Sequence, residues 1–508
     1  MAGYFPYQGA ITETDKLNQI IIDGNIGKLF ELNRLEKEIS KFLQSPKRNL
    51  MITGDKYYEG QHDILHRKRM VIGEGGKKVE APHLPNNKRV DNQYANLVDQ
   101  KVNYLLAKPF TIETENKHYE EALKQVLNKR FRRLLRNTGE DSFNHGITYL
   151  HPYYDENGKM RFKRFPGYEI LPFWLDSDHT QLVSALRIYT VIDYEYDREI
   201  EVMKVDHYTI NGIKHYIWEN GRLKPDVVDH SNYLTIETEI ENENGEPELN
   251  VEFMNWERLP LIPFKANNKE IPLIQRVKNL QDAYNKILSN FENHMDEDTH
   301  NTIIVLENYD GQNLGEFRSN LAQYGAVKVR SSEGSRGDVR TLEITVNKDN
   351  YESILKLFKK AITENGRGYD AKDERMSNSP NQMNIQSMYL DIDLDADMME
   401  TEYQAAMEEL LWFINQDLAN KEIGDFENEE VNIIFNRDIL INESEVIENL
   451  SKSTDLSVET RVAQHPYVKD VQLELKRKKQ EQQEQMNLMD NYDATFNKLN
   501  GGAPNGQE

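Results

Sequence analysis

Residues 370–384 read DAKDERMSNSPNQMN. The segment is polar, lacks large aliphatic side chains and carries Pro380. Hydrophobic periodicity is helical on both sides of it, over 347–363 before and over the much longer 385–420 after. On the second helix Met388, Ile392, Met399, Tyr403, Ala406, Leu410 and Phe413 share one side. Arg367, Lys372 and Arg375 stand beside Asp370, Asp373 and Glu374, so the charge nearly cancels. By local sequence alone this is a surface loop, and its weight comes from what surrounds it.

Upstream, Leu273, Val277, Leu280, Tyr284, Ile287, Phe291 and Met295 recur at spacings of three and four, which predicts a long helix with one apolar stripe. It ends in an acidic run at 295–300. A small β-containing piece over 303–345 separates it from helix 347–363. Within that piece we expect strands at 303–307, 326–329 and 340–345, a turn at 308–311 and a helix near 314–323. Residues 146–264 read as a β meander, with strands at 146–149, 161–165, 182–189, 202–208 and 214–218. Turn signals fall at Asp155-Glu156-Asn157-Gly158, Asn211-Gly212 and Asn220-Gly221. Residues 95–107 form an amphipathic helix closed by Lys108-Pro109, and a strand starts at 110–112. A helix over 118–137 ends in Lys129, Arg130, Arg132, Arg133 and Arg136. Residues 1–50 read as polar helix, 73–78 as a turn, 431–435 as a strand, and 444–450 and 458–462 as short helices. Residues 472–486 are charged and glutamine-rich, and 487–508 read as a flexible tail. The class is α+β, mostly helical.

At 508 residues the chain exceeds one typical domain. Its mean hydropathy of -0.77 and hydrophobic fraction of 38% keep each core modest. No apolar run approaches the roughly 18 residues of a membrane span, and the N-terminus has no secretory pattern. There is no cysteine, which removes disulfides, thiolate metal sites and cysteine nucleophiles and fits assembly in a cytoplasm. The net charge is -24, from 62 basic and 86 acidic residues. Tight binding to phosphate backbones normally shows a basic excess, so a repressor or nuclease-like clamp is disfavoured. A passage along which DNA slides without sticking is not.

Asp391, Asp393, Asp395 and Glu402 have the spacing of a calcium loop, but Ala396 stands where the loop needs glycine and the segment is in helical phase. It reads as a solvated helix start. Glu292, His294, Asp296, Asp298 and His300 cluster in sequence, yet the two histidines fall on different helix faces, and we read an acidic helix end. Residues 73–78 (GEGGKK) lack the serine or threonine of a phosphate loop. The basic end of helix 118–137 suits either a phosphate or an acidic face of a neighbouring subunit, the latter preferred. An alternative activity, a metal-dependent nuclease or phosphoesterase, would use Asp296, Asp298, His300 and the 391–397 row.

Four stretches, in order, resemble one family: 54–64 (GDKYYEGQHDI), 85–110 (PNNKRVDNQYANLVDQKVNYLLAKPF), 256–265 (WERLPLIPFK) followed by Asn267-Asn268, and 306–317 (LENYDGQNLGEF). The chain looks like a tailed-bacteriophage portal protein, the head–tail connector, of the type found in long-tailed siphophages of Gram-positive hosts. The likeness runs from about Tyr57 to Tyr467. It implies a ring, expected to be a dodecamer, with a central channel. Residues 1–264 would be the wing, 265–302 and 347–369 the stem helices, 303–346 the clip, 370–384 the tunnel loop, 385–443 the long wing helix with its following strand, 444–486 the crown and 487–508 a tail.

The resemblance further implies that Arg367, Lys372, Arg375, Met376, Asn378 and Asn381 face double-stranded DNA without sequence preference. Asn308, Tyr309, Asp310 and Arg318 would serve the clip, which meets the large terminase subunit and later the head-completion and tail connector proteins. Leu280, Tyr284, Ile287 and Phe291 would form the subunit interface. Capsid and scaffold proteins are the other partners. The protein would sit in the virion at the portal vertex after assembly in the host cytoplasm. No catalytic residue, cofactor, metal or membrane is implied.

Overall fold

The structure is a computed structural model. It describes residues 31–483 apart from 73–75, 83, 196–197, 227–230, 242–246, 299–301, 308–337, 344–347, 371–381, 438–442, 454, 466, 469–470 and 472–473. The chain folds as two compact units, Met1–Tyr369 with Asp391–Asp438, and Asp370–Leu390 with Ile439–Glu508.

The first unit opens with α1 (Leu32–Leu43) and α2 (Pro46–Tyr58). Pro46 at the first turn and Ser45, whose Oγ accepts the Arg48 N–H at 3.2 Å, start α2 sharply. A short antiparallel ribbon of β1 (Met70–Ile72) and β2 (Lys78–Glu80) follows, the two short runs that the turn signal at 73–78 separates. Next come α3 (Gln93–Leu106) and β3 (Thr111–Glu113). The expected helix 118–137 is two helices, α4 (Lys117–Val126) and α5 (Lys129–His145). Asn128 breaks them apart, because its side chain accepts from the N–H groups of Arg130 and Phe131 and restarts the helix as an N-cap. Gly146 then ends α5 at φ 83, and a Cβ there would lie 2.2 Å from the Glu270 carbonyl oxygen, so only glycine fits.

The meander is larger than the sequence pattern indicates. Strands β4 (Ile147–Tyr154), β5 (Met160–Phe165) and β13 (Ile262–Lys265) form a sheet in the order β13-β4-β5. Five more, β6 (Ile170–Trp174), β7 (Leu182–Glu195), β8 (Arg198–Thr209), β9 (Gly212–Glu219) and β10 (Arg222–Pro225), run antiparallel in sequence order. The β9–β10 turn is Asn220-Gly221 with φ 51 and 79, the two left-handed positions that this dipeptide favours. One core joins Tyr149, Phe165, Ile170, Trp174 and Tyr208 beneath the two sheets. A second packs Leu35 and Ile39 of α1 on Phe173, Leu186, Ile188 and Val205. The strands β11 (Leu234–Glu241) and β12 (Pro247–Met254) pair only with each other among the described residues.

The long helices follow. α6 (Ile274–Asp298) and α7 (Lys348–Asn365) bracket the ribbon of β14 (Thr302–Glu307) and β15 (Asp338–Glu343), as the pattern predicts. The expected helix at 314–323 and strand at 326–329 lie outside the described residues. α8 (Gln382–Asn420) runs without a break, and its Ile392, Met399, Tyr403, Leu410 and Phe413 are buried. Phe264 meets Tyr403, and Trp256 meets Phe413, edge to face at 5.0 and 5.2 Å. β16 (Asn432–Ile434) pairs with β3. The second unit contains α9 (Glu443–Lys452) and α10 (Val458–Ala463), the latter capped by Ser457.

Candidate functional site

Two features organise the long helices, and both are built from polar residues. The first is a clamp. Gln281, Asn285, Ser289 and Asn293, four apart along α6, are fully buried. They accept the backbone N–H groups of Tyr94, Asp91, Arg89 and Asn87 at 3.1, 3.1, 2.9 and 2.7 Å. The match is geometric: four helical residues rise about 6.0 Å, and two extended residues span about 6.6 Å. Residues 87–91 therefore lie antiparallel along the helix with the alternate amides 87, 89 and 91 satisfied, and the fourth bond, three residues on, holds Tyr94 in the first turn of α3. Asn285 also donates to His62 Nδ1 at 2.8 Å, and His62 stacks on Tyr57 at 4.3 Å. Burial pushes the His62 imidazole down and keeps it neutral. At the solvent edge Arg89 pairs with Glu292, and Lys278 bridges Asp63 and Asp282 at 2.6 and 2.8 Å.

The second feature is a charged node. Asp395 of α8 receives Lys101 of α3 at 2.7 Å, Arg276 of α6 at 3.1 Å and Arg367, just past α7, at 2.7 Å. Burial alone would raise the Asp395 carboxyl; the three cations outweigh it and hold it below the ordinary carboxylate value. Lys101, whose side chain is 1% exposed, is pushed down to about 8 by burial, with Asp395 opposing. Its Nζ also donates to the Arg367 carbonyl at 3.0 Å.

Arg367 itself sits at φ 51 in the Gly366-Arg367-Gly368 turn that ends α7. A Cβ on either glycine would fall within 2.5 Å of Leu97 on α3. Gln100 then holds Tyr369 by both its N–H and its carbonyl, at 3.3 and 3.0 Å. The chain is thus pinned to α3 up to the last residue before 370.

The acidic row is engaged in the same way. Arg437 binds Asp393, Asp397 and Glu400, and Tyr104 donates to Asp393 at 3.0 Å. Burial works against the Arg437 charge, but the three carboxylates hold its guanidinium above the usual value. Asp296 accepts from Asn87 at 2.6 Å. No group of three or more histidine and carboxylate side chains poised for a metal occurs among the described residues. His300 and the Asp298 side chain lie outside them. The nuclease reading therefore draws no support from the row at 391–397.

Of the expected interface residues, Tyr284 is buried and donates to Asp91 at 2.7 Å. Leu280, Ile287 and Phe291 are half-buried, and Phe291 packs on Tyr351 of α7 at 5.0 Å. A groove of about 290 Å³ runs between α6 and α7 past Leu288 and Leu355, and Ile354 and Leu357 of α7 are exposed. Of the expected DNA-facing residues, Arg367 has the intrachain partner described above, while Lys372, Arg375, Met376, Asn378 and Asn381 lie outside the described residues. So do Asn308, Tyr309, Asp310 and Arg318.

The reading of the sequence missed the clamp and the node. The clamp had a signal, four small polar residues at intervals of four inside a helical stretch. The node had none, because its members lie far apart in sequence.

No helix among the described residues is long and apolar enough to cross a membrane. The family model described as Phage portal protein, SPP1 Gp6-like matches residues 36–488. The chain is 27% identical over 491 residues to the portal protein of Bacillus phage SPP1, covering 94% of this chain and 93% of that one. It is 23% identical over 458 residues to the portal protein of Clostridium phage phiCD119, covering 87% of this chain and 94% of that one. The stretches that suggested a portal protein, the α+β architecture and the family match agree, and the chain belongs to the SPP1 Gp6-like family of phage portal proteins.

Proposed function

We propose that this chain closes into a ring, a dodecamer, at the unique vertex of a phage head, and that double-stranded DNA is packaged and ejected through its central channel. In this reading residues 1–264 are the wing, α6 and α7 the stem, 303–346 the clip, 370–384 a tunnel loop, 385–443 the long wing helix with its strand, and 444–486 the crown. The clip docks the large terminase subunit during packaging and head-completion or tail connector proteins afterwards. Capsid and scaffold proteins surround the ring during assembly in the host cytoplasm. The family is a structural one, and in this reading ATP hydrolysis belongs to the motor.

The observation that carries this reading is the node at Asp395. It gathers both stem helices' ends, the root of the loop and the long helix on one carboxylate. A loop that meets moving DNA needs such a root, because force on it must reach the ring without unravelling α7. Exposed Ile354 and Leu357 of α7, together with the half-buried Leu280, Ile287 and Phe291 of α6, offer apolar area for the neighbouring copy to cover. Such a contact is heterologous and closes by rotation. The acidic chain supports passage with little adhesion, since like charge keeps phosphate off the wall.

Deleting residues 376–381 tests the loop assignment. Rings are expected to form as in the parent chain, while packaging in a reconstituted motor assay falls by at least an order of magnitude. Rings that fail to form would show that the segment belongs to the subunit contact, and unchanged packaging would remove the loop from the DNA path.

A further inference from the structure

A cleft of about 1030 Å³ opens in the first unit between α4, α5, the β4–β5 hairpin and the end of α8. In a chain of net charge -24 its lining is cationic: Arg130, Arg133, Lys159, Arg161 and Lys421 face only two carboxylates, Glu121 and Asp417. Arg161 is bound to Asp155 at 2.7 Å and Lys421 to Asp417 at 2.8 Å. Arg130, Arg133 and Lys159 are exposed, and their side chains have no partner among the described residues. They form a positive surface without its counterpart.

A counterpart exists elsewhere in the same chain. The β11–β12 ribbon carries five glutamates on its strands, Glu237, Glu239, Glu241, Glu248 and Glu252, and no lysine or arginine. Its ladder sets Ile236 opposite Glu252, Glu237 opposite Val251, Glu239 opposite Leu249 and Ile240 opposite Glu248. Each of these pairs sets an acidic residue against an apolar one across the ladder, and Glu237, Glu239 and Glu241, two apart, share one face of β11. The ribbon joins no other sheet among the described residues, and Met254 at its end is exposed. An isolated two-stranded ribbon is marginal in water and needs a surface to lie on. None of the described residues lining the cleft comes from it.

We propose that the cationic cleft receives the glutamate-rich β11–β12 ribbon of the adjacent copy of this chain. This rests on the ring reading above. Charge complementarity would then fix which surfaces meet and in what register. It would also neutralise, subunit by subunit, a basic surface that could hold phosphate outside the channel.

The chain has no cysteine, so a designed pair is the only pair present. In the full-length chain carrying Arg133→Cys and Glu241→Cys, assembled into rings and mildly oxidised, a non-reducing gel should show a ladder of covalent multimers. The ladder should fade as the salt during oxidation rises, because the screening length falls from about 8 Å at 0.15 M to about 3 Å at 1 M. Rings seen by electron microscopy without a ladder would overturn the proposal and leave the ring reading standing. A cross-link confined to single chains would overturn it too, by placing the ribbon on its own cleft. Absence of rings in the parent chain would sink both. As a second test, Arg130→Glu with Arg133→Glu should lose rings, and adding Glu239→Lys with Glu241→Lys should restore them. Rings that persist while bound duplex DNA is lost would make the cleft a phosphate site and the proposal wrong.

Discussion

Asp395→Ala is expected to destabilise the first unit by about 3–5 kcal/mol, the range seen when one partner of a buried ion pair is removed. Asp395 bridges Lys101, Arg276 and Arg367. Without it Lys101, 1% exposed, is left as an uncompensated buried cation, while the half-exposed Arg276 and Arg367 can turn towards water. Adding Lys101→Met should therefore recover much of the loss, since a methionine of similar length needs no counterion. Urea unfolding followed by tryptophan fluorescence measures both. Hydrogen exchange at Gly366, Gly368 and Tyr369 should rise in the single variant. A midpoint equal to that of the parent chain would show that the node contributes nothing.

Asn285→Leu should cost about 2–6 kcal/mol, because two partners are left unsatisfied at about 1–3 kcal/mol each. Those partners are the Asp91 N–H and His62 Nδ1, while Gln281 Nε2 loses its bond to Asn285 but keeps the Asp91 carbonyl. The effect should be local first: amides 87, 89 and 91 should exchange faster than the β7–β8 ladder. Arg89→Ala is the contrast. Its pair with Glu292 is solvent-exposed, and such pairs contribute little. That variant should unfold like the parent. If the two variants behaved alike, the extended strand would be held by its rim charges and not by the side-chain ladder of α6.

The periodicities of three and four residues located α6, α7 and α8 to within three residues, because each helix has an apolar stripe long enough to stand above local noise. Asn220-Gly221 and Asp155–Gly158 marked hairpins for the same local reason, that few residues accept positive φ. The short strands β6, β10 and β13 were illegible, since four or five residues are too few to carry a period. The break at Asn128 was hidden by apolar residues that continue in phase across it, and only its cap reveals it.

At the site, Arg367 was singled out for its charge and position, but what it binds depends on Asp395, 28 residues on and on another helix. The acidic row at 391–397 suggested a metal because its partner, Arg437, lies 40 residues beyond Asp397. Long-range pairing of charge is what a single sequence hides.

The central claim is that this chain alone encodes a closed ring with a channel. Single-particle electron microscopy of the purified full-length chain, with no other phage protein present, tests it most directly. The account predicts closed rings of twelve subunits, or nearly so, with α6 and α7 of adjacent copies packed around the bore. Monomers or dimers at every concentration, with the Ile354 and Leu357 face uncovered, would contradict it.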